Sequence, residues 1–153
     1  MSRQKFFKQS EIEASVERVF AFHEEPSAIK LLTPPWERVE FVKIAESLKP
    51  GTRTIIKLFV GPFSKTWIAE HTEYIPNQLF ADTQISGPFA YWYHRHRFQP
   101  TERATTIYTD EVEYRLPVGW LGELLAGGFA HTKLERMFDY RHKVVAEEMR
   151  NRR

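Results

Sequence analysis

Imidazole and carboxylate side chains alternate with aromatic ones in two neighbouring stretches of this sequence. The alternate residues are Trp92, His94, His96 and Phe98 in one stretch, and Tyr108, Asp110, Val112 and Tyr114 in the other. Alternation is typical of a half-buried strand, because successive side chains point to opposite faces of a sheet. An aspartate beside an imidazole orients the ring and raises its pKa, as a general base requires. His94, His96 and Asp110 are therefore the candidate catalytic residues.

The same pattern leaves three other interpretations open. The cluster can be a buried polar network that serves only the fold, since an unpaired buried polar group costs roughly 1–3 kcal/mol. The opposite face can point inward instead, and its residues are Tyr91, Tyr93, Arg95 and Arg97. The His-x-His pair can also hold a metal ion, with His71 or Asp82 as a third ligand. That spacing is a weak signal, so the sequence predicts no metal and no other cofactor.

The elements that carry these residues belong to a long run of β-structure. Alternating stretches separated by Pro or Gly predict strands over 4–13, 36–45, 52–60, 64–74, 78–85, 91–99 and 104–116. From residue 36 onward the connections are short, which predicts an antiparallel meander. Ser15 fits the N-cap of a helix that Pro26 ends, and Ser27 fits the cap of a second short helix.

The turn between the last two strands sets which residues face each other. A turn near residues 100–103 pairs residues whose numbers add up to about 203. Because directly opposed residues share a face, the even-numbered residues meet only if the sum is 202 or 204. His94 would then lie opposite Tyr108 or Asp110, and His96 would lie opposite Thr106 or Tyr108.

The longest helical pattern covers residues 130–150. One face of it carries Leu134, Met137, Phe138, Arg141, Val144, Val145 and Met149. A curled sheet needs cover for its apolar concave face, and this helix is long enough to provide it. Arg141 can pair with an aspartate, receive a ligand carboxylate or enolate, or extend to solvent at the helix edge.

The order of elements and several local motifs resemble the START/Bet v 1-like superfamily, which includes polyketide cyclase/dehydrase and lipid-transport proteins. The similar segments are QSEIEASVERVFAFHEEP, LLTPPW, WIAEHTEY, FADTQISGPFAYWYHRHRF, DEVEYRLPVGWLGEL and MFDYRH. The resemblance implies an α+β helix-grip fold. In that fold a curved antiparallel sheet of about seven strands surrounds a long C-terminal helix, and two short helices follow the first strand. Members of the superfamily bind lipids, hormones or polyketides, and some catalyse reactions.

Length and composition favour a single ligand-binding domain over residues 1–153. A chain of 153 residues buries enough surface to fold without disulfides or a metal. The net charge of +2 is too small to indicate a nucleic-acid partner, and the absence of cysteine excludes thiol chemistry. The sequence shows neither a signal peptide nor a run of about eighteen apolar residues. We therefore expect a cytoplasmic protein without a membrane span.

Twelve Phe, six Tyr and four Trp favour an aromatic cavity that binds a hydrophobic, aromatic or polycyclic small molecule. The residues expected to contact this molecule are His71, Asp82, Trp92, Tyr108, Tyr114, Phe138 and Arg141. Only one of Glu70 and His71 can face inward, and the sequence does not decide which. The apolar patch formed by Trp120, Leu121, Leu124 and Leu125 can be core, lid or the surface of a homodimer.

An alternative function is a cofactor-independent cyclase or dehydratase that acts on a polyketide-like substrate. His94 or His96 would remove a proton alpha to a carbonyl, and Asp110 would orient the imidazole. Arg141 or Tyr114 would stabilise the enolate.

Overall fold

The computed structural model describes residues 2–119 and 128–152 of the chain. Its strands are β1 (Gln4–Ile12), β2 (Val39–Lys43), β3 (Arg53–Val60), β4 (Phe63–Ile75), β5 (Leu79–Ser86), β6 (Tyr91–Pro100) and β7 (Thr106–Arg115). Its helices are α1 (Val16–Glu24), α2 (Ala28–Leu31) and α3 (Gly128–Asn151). The predicted elements are all present within a few residues of their limits. β2 is shorter than predicted, because a turn from Pro34 to Glu37 precedes it.

The seven strands form one antiparallel sheet in the order β1-β7-β6-β5-β4-β3-β2. Consecutive strands from β2 to β7 are neighbours, as the predicted meander requires. In the two-residue turn between β3 and β4, Gly61 has a φ of 58°, a left-handed conformation that favours glycine. With α3 against this sheet and two short helices after β1, the predicted helix-grip fold is confirmed.

The helices after β1 begin and end at the predicted residues, with one difference in capping. The Ser15 side chain accepts a hydrogen bond from the Arg18 backbone N–H, which is the predicted N-cap of α1. α1 ends at Glu24, before Pro26. Ser27 precedes α2 but makes no capping hydrogen bond with its side chain, so that part of the prediction is wrong.

The register of the β6–β7 hairpin differs from the prediction. His94 lies opposite Val112, and His96 lies opposite Asp110. Each partner is two or four residues further along β7 than the sequence predicted. The difference is an even number of residues, so the predicted set of residues still shares one face.

The cause of this difference is the connection between β6 and β7. Strand pairing continues to Pro100 and Thr106, so the connection is the loop 101–105 rather than a tight turn. The Thr101 and Thr105 hydroxyls close the loop with a 2.6 Å hydrogen bond, and Ala104 has a φ of 59°. A left-handed alanine is uncommon, and the sequence pattern gave no sign of it.

The sheet has an inner face, which carries the candidate histidines, and an outer face. His94 and His96 are buried on the inner face. Tyr93 and Arg95 lie on the outer face, where each side chain bonds to Glu73. The alternative interpretation in which the outer-face residues point inward is therefore excluded.

Two hydrophobic clusters cover much of the inner face, and a polar layer lies between them. One cluster, near α1, includes Ile12, Val19, Phe20, Phe80, Phe98, Tyr108, Val145 and Met149. The other, near the first half of α3, includes Phe6, Trp92, Val112, Tyr114, Leu134 and Phe138. On each of three elements, polar residues separate the members of the two clusters. These residues are His94 and His96 on β6, Asp110 on β7 and His142 on α3.

The buried stripe of α3 matches the prediction at most positions. Its buried residues are Ala130, Leu134, Phe138, His142, Val145 and Met149. His142 occupies the centre of this stripe, and Arg141 lies half-buried beside it. The predicted apolar patch at Trp120, Leu121, Leu124 and Leu125 lies outside the described residues. Among residues 2–119 and 128–152, α1 and α2 are too short to span a membrane, and the 24-residue α3 is too polar.

Candidate functional site

The carboxylate of Asp110 is the centre of the polar layer. Its side chain has no solvent exposure. Oδ1 accepts a 2.7 Å hydrogen bond from Nε2 of His94, and Oδ2 accepts a 2.7 Å hydrogen bond from Nε2 of His142. Nδ1 of His96 lies 3.1 Å from Oδ1, but it does not point along a hydrogen-bond direction, so we treat this as an ion contact. One carboxylate thus holds three imidazoles.

The third imidazole, His142, joins the polar layer to β1. Its Nδ1 lies 2.6 Å from Oγ of Ser10. In the tautomer whose Nε2 donates to Asp110, Nδ1 accepts the Ser10 hydroxyl proton. The Tyr108 ring stacks on the His142 ring with centroids 4.3 Å apart. These contacts attach the middle of α3 to both edge strand β1 and its neighbour β7.

A second carboxylate, Asp82, lies at the edge of the polar layer. It lies opposite His94 in the β5–β6 register and opposite His71 in the β4–β5 register. Its Oδ2 is 3.3 Å from Nε2 of His96 and 3.9 Å from Nδ1 of His94. The Asp82 side chain is 17% exposed, whereas Asp110 is fully enclosed. The cluster therefore has a closed end at Asp110 and an accessible end at Asp82.

The two carboxylates have pKa values below their usual range. Burial alone would raise the pKa of Asp110, but the hydrogen bonds from His142 and His94 and the His96 contact hold it well below that range. For Asp82, burial acts in the same upward direction, and His96 and His94 outweigh it. Both groups are therefore carboxylates at neutral pH.

The adjacent imidazoles respond to this environment in opposite directions. Burial lowers the pKa of His94, and the positive charge on His96 adds to that effect. Burial also opposes protonation of His96, but its contacts with Asp110 and Asp82 raise the pKa of that ring above its ordinary value. The structure thus favours protonation of His96 over protonation of His94.

The predicted ligand contacts fall into a packed group and an accessible group. Trp92, Tyr108, Tyr114 and Phe138 are each 4% exposed or less. Phe138 stacks on Phe6 and contacts the edge of the His94 ring, so these aromatics form the packed floor of the site. His71, Asp82 and Arg141 are only partly buried.

The open part of the inner face lies over β3, β4 and β5. Its partly exposed residues are Ile56, Trp67, Ala69, His71, Asp82 and Gln84. Trp67 makes edge contacts with Trp92 and Phe89 at 5.1 and 5.6 Å between ring centroids. The inward position of His71 answers the question that the sequence left open, because Glu70 pairs with Arg53 on the outer face. Aromatic, aliphatic and ionisable groups therefore meet on one accessible surface.

Arg141 contributes an unpaired polar atom beside the floor of the site. Its Nε is buried and has no hydrogen-bond partner among the described residues. Its guanidinium carbon lies 5.4 Å from the centroid of the Phe138 ring. A buried guanidinium N–H without an acceptor is costly, so this atom is suited to an acceptor supplied from outside the protein.

Sequence reasoning missed His142, Ser10 and His23 as members of this network. His142 was detectable, because it follows Phe138 by four residues and precedes Val145 by three, which is helical spacing. Ser10 shares the inner face of β1 with Phe6 but gave no signal, because the β1–β7 register depends on pairing across the whole chain.

His23 extends the buried polar groups into the cluster around α1. Its Nδ1 donates to the carbonyl of Val19 at 2.8 Å, so Nε2 accepts the Tyr108 hydroxyl proton at 3.3 Å. Burial lowers the pKa of His23 to about 4. The Val19 carbonyl and Asp110 oppose this shift, and the nearby His96 and His142 add to it.

We expect His23 to make stability depend on pH. The unfolded chain binds a proton at this residue below about pH 6.5, whereas the folded chain does so only near pH 4. The contribution of His23 to the free energy of unfolding is therefore fully present above pH 6.5 and is lost as the pH falls to 4. The free energy of unfolding should fall by about 2 kcal/mol between pH 7 and 5 because of this residue. Urea unfolding of His23→Gln should show a flatter pH dependence than the wild type. The exposed His131→Gln variant is the control and should follow the wild type; equal slopes for all three proteins would contradict this.

Replacement of Asp110 should destabilise the fold strongly. Asp110→Ala leaves a buried, charged His96 with one carboxylate fewer, and we expect a loss of roughly 3–5 kcal/mol in the free energy of unfolding. Asp110→Asn should cost less, because the amide keeps both hydrogen bonds if one histidine changes tautomer. Asp139→Ala removes an exposed carboxylate that pairs with Lys8 and should cost about 1 kcal/mol or less. Similar losses for the two alanine variants would show that the buried network contributes no stability.

The chain was compared with protein families, curated proteins and solved structures. The family described as polyketide cyclase/dehydrase and lipid transport matches residues 12–139. No curated protein matches the chain at a significant level.

Three solved structures illustrate the likeness. A nucleoside-diphosphate sugar epimerase from Corynebacterium glutamicum is 27% identical with a TM-score of 0.72, and the match covers 95% of this chain but only 29% of that protein. The Zhui aromatase/cyclase from Streptomyces sp. R1128 is 13% identical with a TM-score of 0.76, covering 99% and 96% of the two chains. Norcoclaurine synthase from Thalictrum flavum, solved with dopamine and hydroxybenzaldehyde, is 18% identical with a TM-score of 0.64, covering 95% and 88%.

The two comparisons that are below 25% identity support the fold alone, and the sequence match over residues 12–139 supports the family. The chain belongs to the polyketide cyclase/dehydrase and lipid transport family.

Proposed function

We propose that this protein binds a hydrophobic, aromatic small molecule against the open part of the inner face. The observation that carries the proposal is the meeting of that surface with the polar layer: Trp67, Ala69 and His71 lie beside Asp82, which is the accessible end of the buried histidine cluster. Ligand sites are typically apolar surfaces with a few fixed polar groups.

The apolar part of the proposed site supplies most of the binding energy. Trp67 and Ile56 are partly exposed on the inner face, and Trp67 is held edge-on by Trp92 and Phe89. Burial of apolar surface contributes about 25 cal/mol per Å². An aromatic ring that covers these residues also gains from ring–ring contact. Trp67 packs against the cluster that contains Trp92, Tyr114 and Phe138.

The polar part of the proposed site selects the ligand. Arg141 offers a buried Nε–H without an acceptor among the described residues, and Asp82 with His96 offers a fixed carboxylate and an imidazole. A carboxylate, phenolate or enolate oxygen on the ligand would satisfy the guanidinium. The ligand class is therefore an aromatic compound with an acidic oxygen. The synthase compared above was solved with two aromatic small molecules, which fits a site of this kind in the same fold.

We expect Arg141→Gln to weaken the binding of an acidic aromatic ligand. Matched probes are 2-naphthoate and its methyl ester, titrated against the full chain by isothermal calorimetry. Loss of a charge-assisted hydrogen bond should lower the affinity for the acid by roughly 10- to 100-fold and leave the affinity for the ester unchanged.

The matched control for this experiment is Arg136→Gln. Arg136 lies on the same helix with its guanidinium over the Trp36 ring, and its side chain is exposed. Its loss should leave both probes unaffected. An equal effect of the two arginine variants, or equal binding of the two probes by the wild type, would contradict the proposed role of Arg141.

A second candidate function is proton transfer on a bound carbonyl compound. The favouring observation is that Asp110 fixes Nε2 of His94, while Nδ1 of the same ring faces the accessible Asp82 end at 3.9 Å. A ring held in one tautomer with its other nitrogen toward the ligand surface has the geometry of a general base. Arg141 would stabilise the enolate that forms when the proton leaves.

The proton-transfer function predicts exchange of hydrogen alpha to the carbonyl of a bound aryl ketone. Incubation of 2-acetylnaphthalene with the protein in D₂O should give deuterated methyl groups, measured by proton NMR, faster than buffer alone. His94→Gln should reduce the enhancement by at least tenfold, because general-base catalysis contributes about 10²- to 10⁴-fold. His131→Gln should have no effect. Binding of the ketone without any enhanced exchange would limit the function to ligand binding.

A further inference from the structure

We infer that Asp82, His94 and His96 form a binding site for one divalent transition-metal ion, with Zn²⁺ as the best-fitting candidate. One donor atom from each residue lies within 4.8 Å of the other two. The sequence offered His71 or Asp82 as a third ligand but predicted no metal, because the His-x-His spacing is a weak signal. In the structure Asp82, on the neighbouring strand β5, lies close to both histidines.

Two of the three donor distances are close to those that a tetrahedral ion requires. Bonds of about 2.0–2.1 Å to a tetrahedral ion place two donors about 3.3 Å apart. Asp82 Oδ2 is 3.3 Å from His96 Nε2 and 3.9 Å from His94 Nδ1. A shift of the Asp82 oxygen by about half an ångström toward Nδ1 of His94 would bring the second distance to the tetrahedral value and leave a fourth position open. The two imidazole donors lie within 4.8 Å of each other.

Asp110 lies against the ring nitrogens that do not face this position. Nε2 of His94 donates to Asp110 at 2.7 Å, and Nδ1 of His96 lies 3.1 Å from the same oxygen without hydrogen-bond geometry. In metal sites the second nitrogen of a ligand histidine is typically held by a carboxylate, which fixes the tautomer and strengthens the ligand. Here one fully buried carboxylate serves both rings. This arrangement is the independent observation that points to a metal, because it directs Nδ1 of His94 and Nε2 of His96 at the same Asp82 oxygen.

The orientation of His94 gives a further reason for a cation. With Nε2–H directed at Asp110, the neutral ring presents its Nδ1 lone pair toward the Asp82 carboxylate. Two acceptors that face each other at this distance repel, and a cation between them removes the repulsion. A metal ion bound to Nδ1 of His94, Nε2 of His96 and Asp82 would be such a cation.

The site would give the ligand surface a Lewis acid. It would occupy Nδ1 of His94, so the proton-transfer candidate applies to the metal-free protein. The open fourth position faces the accessible end of the cluster, where Asp82 is 17% exposed. A carboxylate or carbonyl oxygen of a bound molecule could complete the coordination. The metal site does not depend on the proposed organic ligand, since it can be tested with the metal alone.

The test is titration of untagged, EDTA-treated full chain with Zn²⁺ by isothermal calorimetry, and with Co²⁺ by absorption spectroscopy. We expect one ion per chain and a tetrahedral Co²⁺ spectrum. His96→Gln and Asp82→Ala should lower the Zn²⁺ affinity by more than 100-fold, and His131→Gln, which changes an exposed histidine, should leave it unchanged.

The Asp110→Asn variant tests whether Asp110 positions the imidazoles of His94 and His96 for the metal or serves only the stability of the fold. It should lower Zn²⁺ affinity by roughly 10- to 100-fold while the folded protein still binds one ion. Circular dichroism at each titration temperature checks that every variant is folded. Binding to the wild type with no defined stoichiometry, or an unchanged affinity in His96→Gln, would overturn the proposal. Binding of 2-naphthoate without Zn²⁺ binding would overturn the metal site and leave the ligand site standing.

Discussion

A fully buried charge at Asp110 is the constraint on which the rest of this structure depends. A carboxylate removed from water costs several kcal/mol unless donors and positive charge compensate for it. Here the compensation comes from β6, through His94 and His96, and from α3, through His142. Because these donors belong to different elements, the charge fixes the position of the C-terminal helix relative to the sheet.

This polar layer also explains why the inner face has two kinds of surface. Beneath α3 the apolar residues of β1, β6 and β7 pack tightly, as the stacking of Phe6 on Phe138 shows. Over β3 to β5 the same face is partly exposed, and Asp82 and His71 lie there. The buried histidines contact Asp82, which is accessible, and their contacts with Asp110 fix their orientation before any ligand or ion binds.

The sequence predicted the architecture and the faces well, because both depend on local patterns. Alternation placed His94, His96 and Asp110 on one face, and short Pro/Gly breaks predicted the meander. The exact pairing was not predictable, because the loop 101–105 depends on threonine hydrogen bonds and a left-handed Ala104. Likewise, the bulges in the β4–β5 pairing, one of them next to His71, and the contact between His142 and Ser10 join residues far apart in the chain. Long-range contacts of this kind leave no periodic signal in a single sequence.

The most direct test is the protonation of the imidazole rings, followed by long-range ¹H–¹⁵N NMR across a pH titration of ¹⁵N-labelled, metal-free protein. We predict a single Nε2–H tautomer for neutral His94, fixed by Asp110, and a His96 ring that protonates at a higher pH than the His94 ring. It further predicts that the ring signals of both residues change together in Asp110→Asn. Averaged tautomers for His94 and a His96 ring that protonates no more readily than His94, both unaffected by that substitution, would contradict the claim that Asp110 organises the site.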